Sequence, residues 1–276
     1  MAISKADFDY VVQLAHSQAA IVLEPGKEYL VENRLTSLAE QEGYGTLEQF
    51  IGKLRSETAI NGLHHKSIDA LTTNETSFFR DYHPFESLRR HILPRLIEQR
   101  SGVRQLTIWC AACSTGQEPY SLAMLIQEHF PQLRDWKISI VATDLSATVL
   151  RIAGAGHYSQ FEVNRGLPAA YLVKYFTKQG DRWHIKPEIK KCIEFRAMNL
   201  IQPWPMMPPL DLVFIRNVMI YFSVETKKMI LKRIRTCLLP HGYVFLGTAE
   251  TTINLDPEYQ PVTFDKTAVY QLRKSN

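Results

Sequence analysis

The residues able to do chemistry gather in three dense segments. The first is Trp109-Cys110-Ala111-Ala112-Cys113-Ser114-Thr115-Gly116-Gln117-Glu118-Pro119-Tyr120. It follows a β-branched stretch, Leu106-Thr107-Ile108, and leads into an apolar helical run, Leu122-Ala123-Met124-Leu125-Ile126. Strand, small-residue loop, then helix is how an α/β sheet builds a ligand crevice at its strand ends. The small side chains let the backbone approach a ligand, and the helix N-terminus leaves N–H groups for polar atoms. The same run holds a Cys-x-x-Cys, Cys110 to Cys113, which can signal a thioredoxin-like redox pair. The chain is far longer than one such unit, and the tail Ser114–Pro119 has no part in redox work. Cys192 and Cys237 stand alone, so no second pair completes a zinc site, and no metal is expected. The plain reading is two small buried thiols.

Asp144 closes a second strand about thirty residues after the first. A carboxylate there can accept from both vicinal hydroxyls of a ribose. Taken alone, it reads equally well as the N-cap of the next helix. The first loop has one glycine, Gly116, so the Gly-x-Gly-x-x-Gly fingerprint is absent and a pyrophosphate cradle is disfavoured. A nucleoside without a diphosphate fits better, with S-adenosylmethionine the obvious case.

The second segment is Leu71-Thr72-Thr73-Asn74-Glu75-Thr76-Ser77-Phe78-Phe79-Arg80-Asp81. Its arginine fork could clamp a carboxylate. Equally, the segment reads as a linker whose Phe78 and Phe79 plug a core while Arg80 is solvated. The third is Ile215-Arg216-Asn217-Val218-Met219-Ile220-Tyr221-Phe222, which starts at a strand end. Tyr221 carries a hydroxyl on an apolar body, and Asn217 both donates and accepts. Asn199-Leu200 also follows a strand and could lie beside an adenine, although alone it reads as an ordinary turn.

Elements of the right kind surround these segments. Ser4 and Asp7 form a capping pair ahead of Phe8, Val11, Val12 and Ala15. Val31, Leu35 and Leu38 make a second stripe ending near Gly43. Thr46 with Gln49 reads as a capping box before Leu47, Phe50, Ile51 and Leu54. Residues 1–70 thus read as all helical, with Lys27, Arg34, Lys53 and Arg55 on polar faces. From residue 84 the pattern alternates. A helix is expected from Pro84 to about Arg100, then a strand over 105–109 and a helix after Pro119. Next come a strand over 138–142, a helix from Ala147, a strand over 211–215, and a basic amphipathic helix from Val224 to Leu238. Strands over 242–247 and 269–272 close the chain and are expected to pair antiparallel. Strands alternating with helices imply a doubly wound, mostly parallel sheet. Residues 157–195 break the rhythm with short runs, Leu172–Phe176, Trp183–Ile185 and Cys192–Phe195, and a Gly180-Asp181 turn. They read as a small antiparallel insert.

At 276 residues the chain is long enough to bury a large core, as one large domain or two unequal ones. Four cysteines without framework spacing suggest a reducing compartment. No stretch approaches the roughly 18 apolar residues of a membrane span, and the N-terminus lacks a signal-peptide pattern. A soluble cytoplasmic protein is expected. The net charge of +4 is mild and does not demand nucleic acid.

Taken together, the segments resemble the CheR family, the S-adenosylmethionine-dependent glutamate O-methyltransferases of bacterial chemoreceptors. The matches are Leu71–Arg80, Ala111–Ser121, Ala142–Leu150, Asn199-Leu200 and Arg216–Phe222, in family order and over nearly the whole chain. The resemblance implies a Rossmann-like methyltransferase domain over 71–276 with an inserted β-subdomain at 157–195. It also implies an N-terminal helical domain over 1–70 that meets receptor helices. Asn74, Thr76 and Arg80 would line the methionine end of the cofactor and the transfer point. Glu118 would hold its ammonium group, Asp144 its ribose, and Asn199 and Leu200 its adenine. Arg216 and Asn217 would complete the wall, with Tyr221 near the sulfonium and the incoming carboxylate. Arg80 and Tyr221 are the residues expected to carry catalysis, and S-adenosylhomocysteine is the expected product.

The chain also departs from the family. Some members grip a receptor's C-terminal pentapeptide with the β-subdomain. Here the hairpin at Gln179-Gly180-Asp181-Arg182 is short, so tethering is not expected. The second helix offers only Lys27 and Arg34, so attraction to an acidic receptor bundle is modest. The rival readings are the same chemistry on another protein or a small acid, and a cofactor-binding module without turnover. Retention of Arg80 and Tyr221 argues against the second. Base flipping lacks a motif. A monomer with no membrane insertion is expected.

Overall fold

The computed structural model describes residues 3–273. The chain divides into two compact units: residues 1–73 with 221–226, and residues 74–220 with 227–276.

The first unit is built on four helices: α1 (Lys5–Ala19), α2 (Glu28–Gln41), α3 (Leu47–Ser56) and α4 (Gly62–Leu71). Three of the four starts are held by a side-chain cap, and α2 begins at Lys27 without one. Ser4 Oγ accepts from Asp7 N at α1. Thr46 accepts from Gln49 N at α3, and Asn61 caps α4 in a reciprocal box with His64. The apolar stripes meet as Phe8, Val11 and Leu14, then Val31 and Leu35, then Phe50, Ile51 and Leu54, all buried. His64 is buried among them. Its imidazole lies 3.1 Å from the Leu54 carbonyl and 3.3 Å from the Tyr10 hydroxyl, so the ring is satisfied rather than poised for chemistry.

The second unit carries a seven-stranded sheet. Its strands are β1 (Gln105–Ala111), β2 (Lys137–Asp144), β6 (Ile193–Ala197), β7 (Leu210–Ile215), β8 (Leu238–Leu246), β9 (Tyr259–Phe264) and β10 (Thr267–Leu272). The order is β6-β2-β1-β7-β8-β10-β9. The first five run parallel, and β10 and β9 are antiparallel. Consecutive residues Leu106–Ala111 and all of β7 are buried, as expected of strands covered on both faces. The helices are α5 (His83–Ser87), which runs through a π turn at Leu88–Ile92 into α6 (Leu93–Arg100), then α7 (Gln117–His129), α8 (Ala147–Ala155) and α12 (Val224–Cys237). The fold class expected from the sequence is the one observed.

The small sheet is β3 (His157–Ser159), β5 (Arg182–Ile185) and β4 (Phe176–Gln179), in the order β3-β5-β4, all antiparallel. Short helices α9 (Gln160–Asn164), α10 (Ala169–Tyr175) and α11 (Pro187–Lys190) accompany it.

Three local expectations need correction. Residues 193–195 do not belong to the insert. They form β6, which pairs parallel with β2 through Ile140↔Ile193 to Asp144↔Ala197 and makes an edge of the main sheet. Leu172–Tyr175 is not strand but the body of α10, with Tyr175 buried. The closing pair gains a strand, β9, which holds Pro261 on the sheet's other edge, where a missing donor is tolerated. No helix among the described residues is long and apolar enough to cross a membrane.

Candidate active site

Chain order reverses at β1, which has β2 on one side and β7 on the other. In open α/β sheets the ligand crevice opens beyond the carboxyl ends of the strands at this point. The strand ends lie level there, with Ala111 beside Thr143 and Ile215 beside Leu246. Five of the sequence-predicted residues follow these ends.

The loops at this rim are held in an unusual backbone state. Phe79, Asp81 and Tyr82, Ala112 and Ser114, and Asn217 all have positive φ, between 48° and 69°. A left-handed residue with a Cβ costs about 1 kcal/mol or more. Six such residues on three loops of one rim mark a backbone shaped by something other than its own preference.

Asp144 ends β2 with its carboxylate spoken for by backbone. Oδ2 accepts from Ser114 N at 2.8 Å and Oδ1 from Ser146 N at 3.0 Å. This settles one alternative. The cap of α8 is Ser146, which accepts from Val149 N, and not Asp144. Asp144 instead fastens the β1 loop to the β2 loop. Ser114 Oγ in turn donates to the Asn74 carbonyl at 2.8 Å, bringing the 74–80 segment to the same rim. Phe79 N donates to Ser121 Oγ at 3.0 Å. Phe78 is fully buried against Tyr158 and Phe176 in edge-on contacts, so this half of the linker reading holds.

Across the switch point lies an ion network. The Arg216 side chain is 2% exposed, so its charge must be paired within the protein. Nη1 donates to Glu118 Oε2 at 2.9 Å, and Nη2 donates to Asp81 Oδ2 at 2.6 Å and to the Arg80 carbonyl at 3.0 Å. Phe85 lies beneath the guanidinium at 5.8 Å. Nε is buried with no partner. Burial pushes the Glu118 carboxyl above its usual range, and Arg216 offsets only part of that. A carboxylate in this condition is stabilised by a further cation. Arg80 and Glu250 also bear on the charge of Glu118, Arg80 favouring its ionised form and Glu250 opposing it. Arg80 itself is half-buried, with Nη1 donating to the Glu75 carbonyl at 2.9 Å.

Thr76 is half-buried within the 74–80 segment. Asn199 Oδ1 accepts from Ile201 N at 3.1 Å, and the Leu200 carbonyl accepts from Trp204 Nε1 and Arg233 Nη1. Both follow β6, whose end is level with Asp144. Asn217 N donates to Glu250 Oε2 at 2.8 Å. Tyr221 sits on the 3-10 turn Met219–Tyr221 and is counted with the helical unit, where its carbonyl accepts from Val22 N at 3.1 Å.

Cys110 and Cys113 are buried reduced thiols, and burial pushes both well up. A thiolate is disfavoured at both, so the redox reading fails on its own chemistry.

Sequence reasoning missed Ser114, Asp81 and Glu250 as parts of the site. Asp81 directly follows the predicted arginine. Glu250 follows the end of β8, where the strand-end rule that singled out Asp144 applies equally.

The donor set fits an amino-acid-bearing nucleoside. It offers a buried carboxylate for an ammonium and Asp144 for hydroxyls. Comparison with known proteins agrees. Residues 74–268 match the family profile described as CheR methyltransferase, SAM binding domain, and residues 6–72 match CheR methyltransferase, all-alpha domain. The chain is 43% identical to chemotaxis protein methyltransferase 1 of Pseudomonas aeruginosa, over 99% of this chain and 100% of that one. It is 40% identical to chemotaxis protein methyltransferase Cher2 of Pseudomonas putida, with the same coverage. It is 36% identical to the Vibrio parahaemolyticus chemotaxis protein methyltransferase, over 98% of each. With both halves matched in order, this chain belongs to the CheR methyltransferase family, and S-adenosylmethionine is its cofactor.

Proposed function

We propose that the protein methylates glutamate side chains on the cytoplasmic helices of chemoreceptors, giving glutamyl methyl esters and S-adenosylhomocysteine, in sensory adaptation. When bound, S-adenosylmethionine supplies an electrophilic methyl whose bond to sulfur breaks as a bond to the acceptor oxygen forms. The acceptor carboxylate is already ionised near neutral pH, so no general base is required. What remains for the protein is positioning in a site shielded from water.

The observation that carries this reading is a half-buried Arg80 beside the Glu118–Arg216 network at the switch point. Arg80 steers the acceptor carboxylate, and its hold on the Glu75 carbonyl limits how tightly it grips that charge. Over-stabilising the carboxylate in the ground state would raise the barrier. Glu118 takes the cofactor's ammonium, Asp144 its ribose, and Asn199 and Leu200 its adenine. Asn74, Thr76, Arg216 and Asn217 wall the methionine end, and Tyr221 shapes the transfer channel.

The helical unit meets the receptor with little electrostatic steering. Its candidate cations are engaged within the unit: Arg34 with the Leu71 carbonyl and Thr73, Arg55 with Asp7, Lys53 with Glu57, and Lys27 with Glu24. The two-residue Gly180-Asp181 turn leaves little loop to clasp a receptor peptide, in keeping with a protein that works untethered. It acts in the cytoplasm as a monomer.

Tritiated S-adenosylmethionine with receptor-containing membranes tests the reading. Base-labile label on receptor glutamates is expected. Label on a different protein, on a small acid, or on nothing despite tight cofactor binding would overturn it. Arg80→Ala should lower kcat/KM about 100-fold while leaving S-adenosylhomocysteine affinity within about threefold. Equal loss of both would remove the steering role.

A further inference from the structure

The geometry points to Glu250 as a positioning residue that sets the β7 loop of the cofactor wall through three backbone N–H groups. The inference rests on the reading that Asn217 lines the cofactor.

Glu250 follows β8 and is half-buried. Its Oε2 accepts from Gly247 N at 2.6 Å and from Asn217 N at 2.8 Å. Its Oε1 accepts from Ile220 N at 3.2 Å. One carboxylate thus binds both ends of the 217–220 turn and its own strand end. The two oxygens divide the work. Oε2 fixes Asn217, which stands at φ 58° in the left-handed region that asparagine tolerates better than most residues with a Cβ. Oε1 fixes Ile220, the residue directly before Tyr221 in the chain.

The approach is close. A Cβ on Gly247 would stand 2.7 Å from Glu250 Oε2, 2.8 Å from Asn217 N and 2.8 Å from Asn217 Nδ2. No side chain can occupy position 247 without driving the carboxylate off Asn217. A bond between β7 and β8 alone would not need this arrangement, because the strands already pair to Ile215↔Leu246. The carboxylate extends that pairing past the strand ends into the loop that bears the predicted ligand contacts.

The test compares wild type, Glu250→Ala and Glu250→Gln by calorimetric titration with S-adenosylhomocysteine, by kcat and KM, and by thermal melting. Glu250→Gln keeps one carbonyl oxygen that can serve Asn217 and Gly247, and turns an amide N–H₂ toward Ile220. It should keep ligand affinity within about threefold and lower kcat by about tenfold or more. Glu250→Ala loses both anchors and should weaken S-adenosylhomocysteine by about tenfold or more as well. Two outcomes overturn the inference. One is Glu250→Ala with a lowered melting temperature but wild-type affinity and kcat in the folded protein. The other is Glu250→Gln with wild-type kcat, which decides the matter even if the alanine variant fails to fold. Failure of wild type to bind S-adenosylhomocysteine would instead sink the cofactor reading.

Discussion

Arg216 is the cation around which the acids of the site are arranged, and Glu118 is the acid whose state decides how the site responds to pH. Glu118 is raised by burial, the reverse of the usual paired carboxylate. Its ionised form therefore costs the folded protein stability at neutral pH, and protonation relieves that cost as pH falls through the raised value. The ammonium capture proposed for Glu118 needs the ionised form. Affinity for S-adenosylhomocysteine should fall on acidification, beginning at a higher pH than for an ordinary glutamate. Glu118→Gln should flatten that limb. Titration calorimetry across the acidic range checks it, and parallel limbs in both proteins would refute the assignment. Asp144 stood out as a candidate because it closes a strand, whereas Glu118, in the first turn of α7, took its role from the family resemblance. Asp81 and Glu250 were not legible, because they grip a guanidinium and backbone N–H groups, and no spacing in a sequence announces such partners. The roles given to Arg80 and Tyr221 came from resemblance to a family rather than from their own surroundings.

At the scale of elements, apolar periodicity found the helical stripes and the buried parallel strands, where one force dominates. It failed where two elements read alike. Leu172–Tyr175 has strand-forming residues, yet only Tyr175 is fully buried and the segment coils as α10. Ile193–Ala197 is short and half-exposed like the insert's own strands, and only its partner β2 reveals its sheet. The connection between α9 and α10 shows what packing demands of one position. Gly166 has φ +84°, and a Cβ there would stand 2.0 Å from the Phe78 carbonyl oxygen. Gly166→Ala must displace the backbone beside the buried Phe78 and should cost at least about 2 kcal/mol. Urea unfolding should show a lower midpoint with an unchanged slope, and a loss below about 0.5 kcal/mol would contradict the packing.

Across the whole molecule, all four cysteines lie in the sheet unit, and none offers a ready thiolate. Cys192 and Cys237 are each pushed up to about 11 by burial. Cys110 and Cys113 lie deeper still. Ellman's reagent should react slowly with the native protein and find four thiols after denaturation. S-adenosylhomocysteine at a hundredfold excess over its Kd should stabilise the unit by about 2.7 kcal/mol and slow labelling of the buried pair about 100-fold. Fast native labelling of Cys110 or Cys113 would count against the fold. The helical unit, for its part, is not contiguous in the chain, because it includes residues 221–226. Val22 finds its carbonyl partner on Tyr221, almost two hundred positions downstream. Domains formed during synthesis usually mature from the N-terminus onward. During synthesis, then, the Val22 N–H meets its native acceptor only after residue 221 has been made, long after the four helices that precede it in the chain.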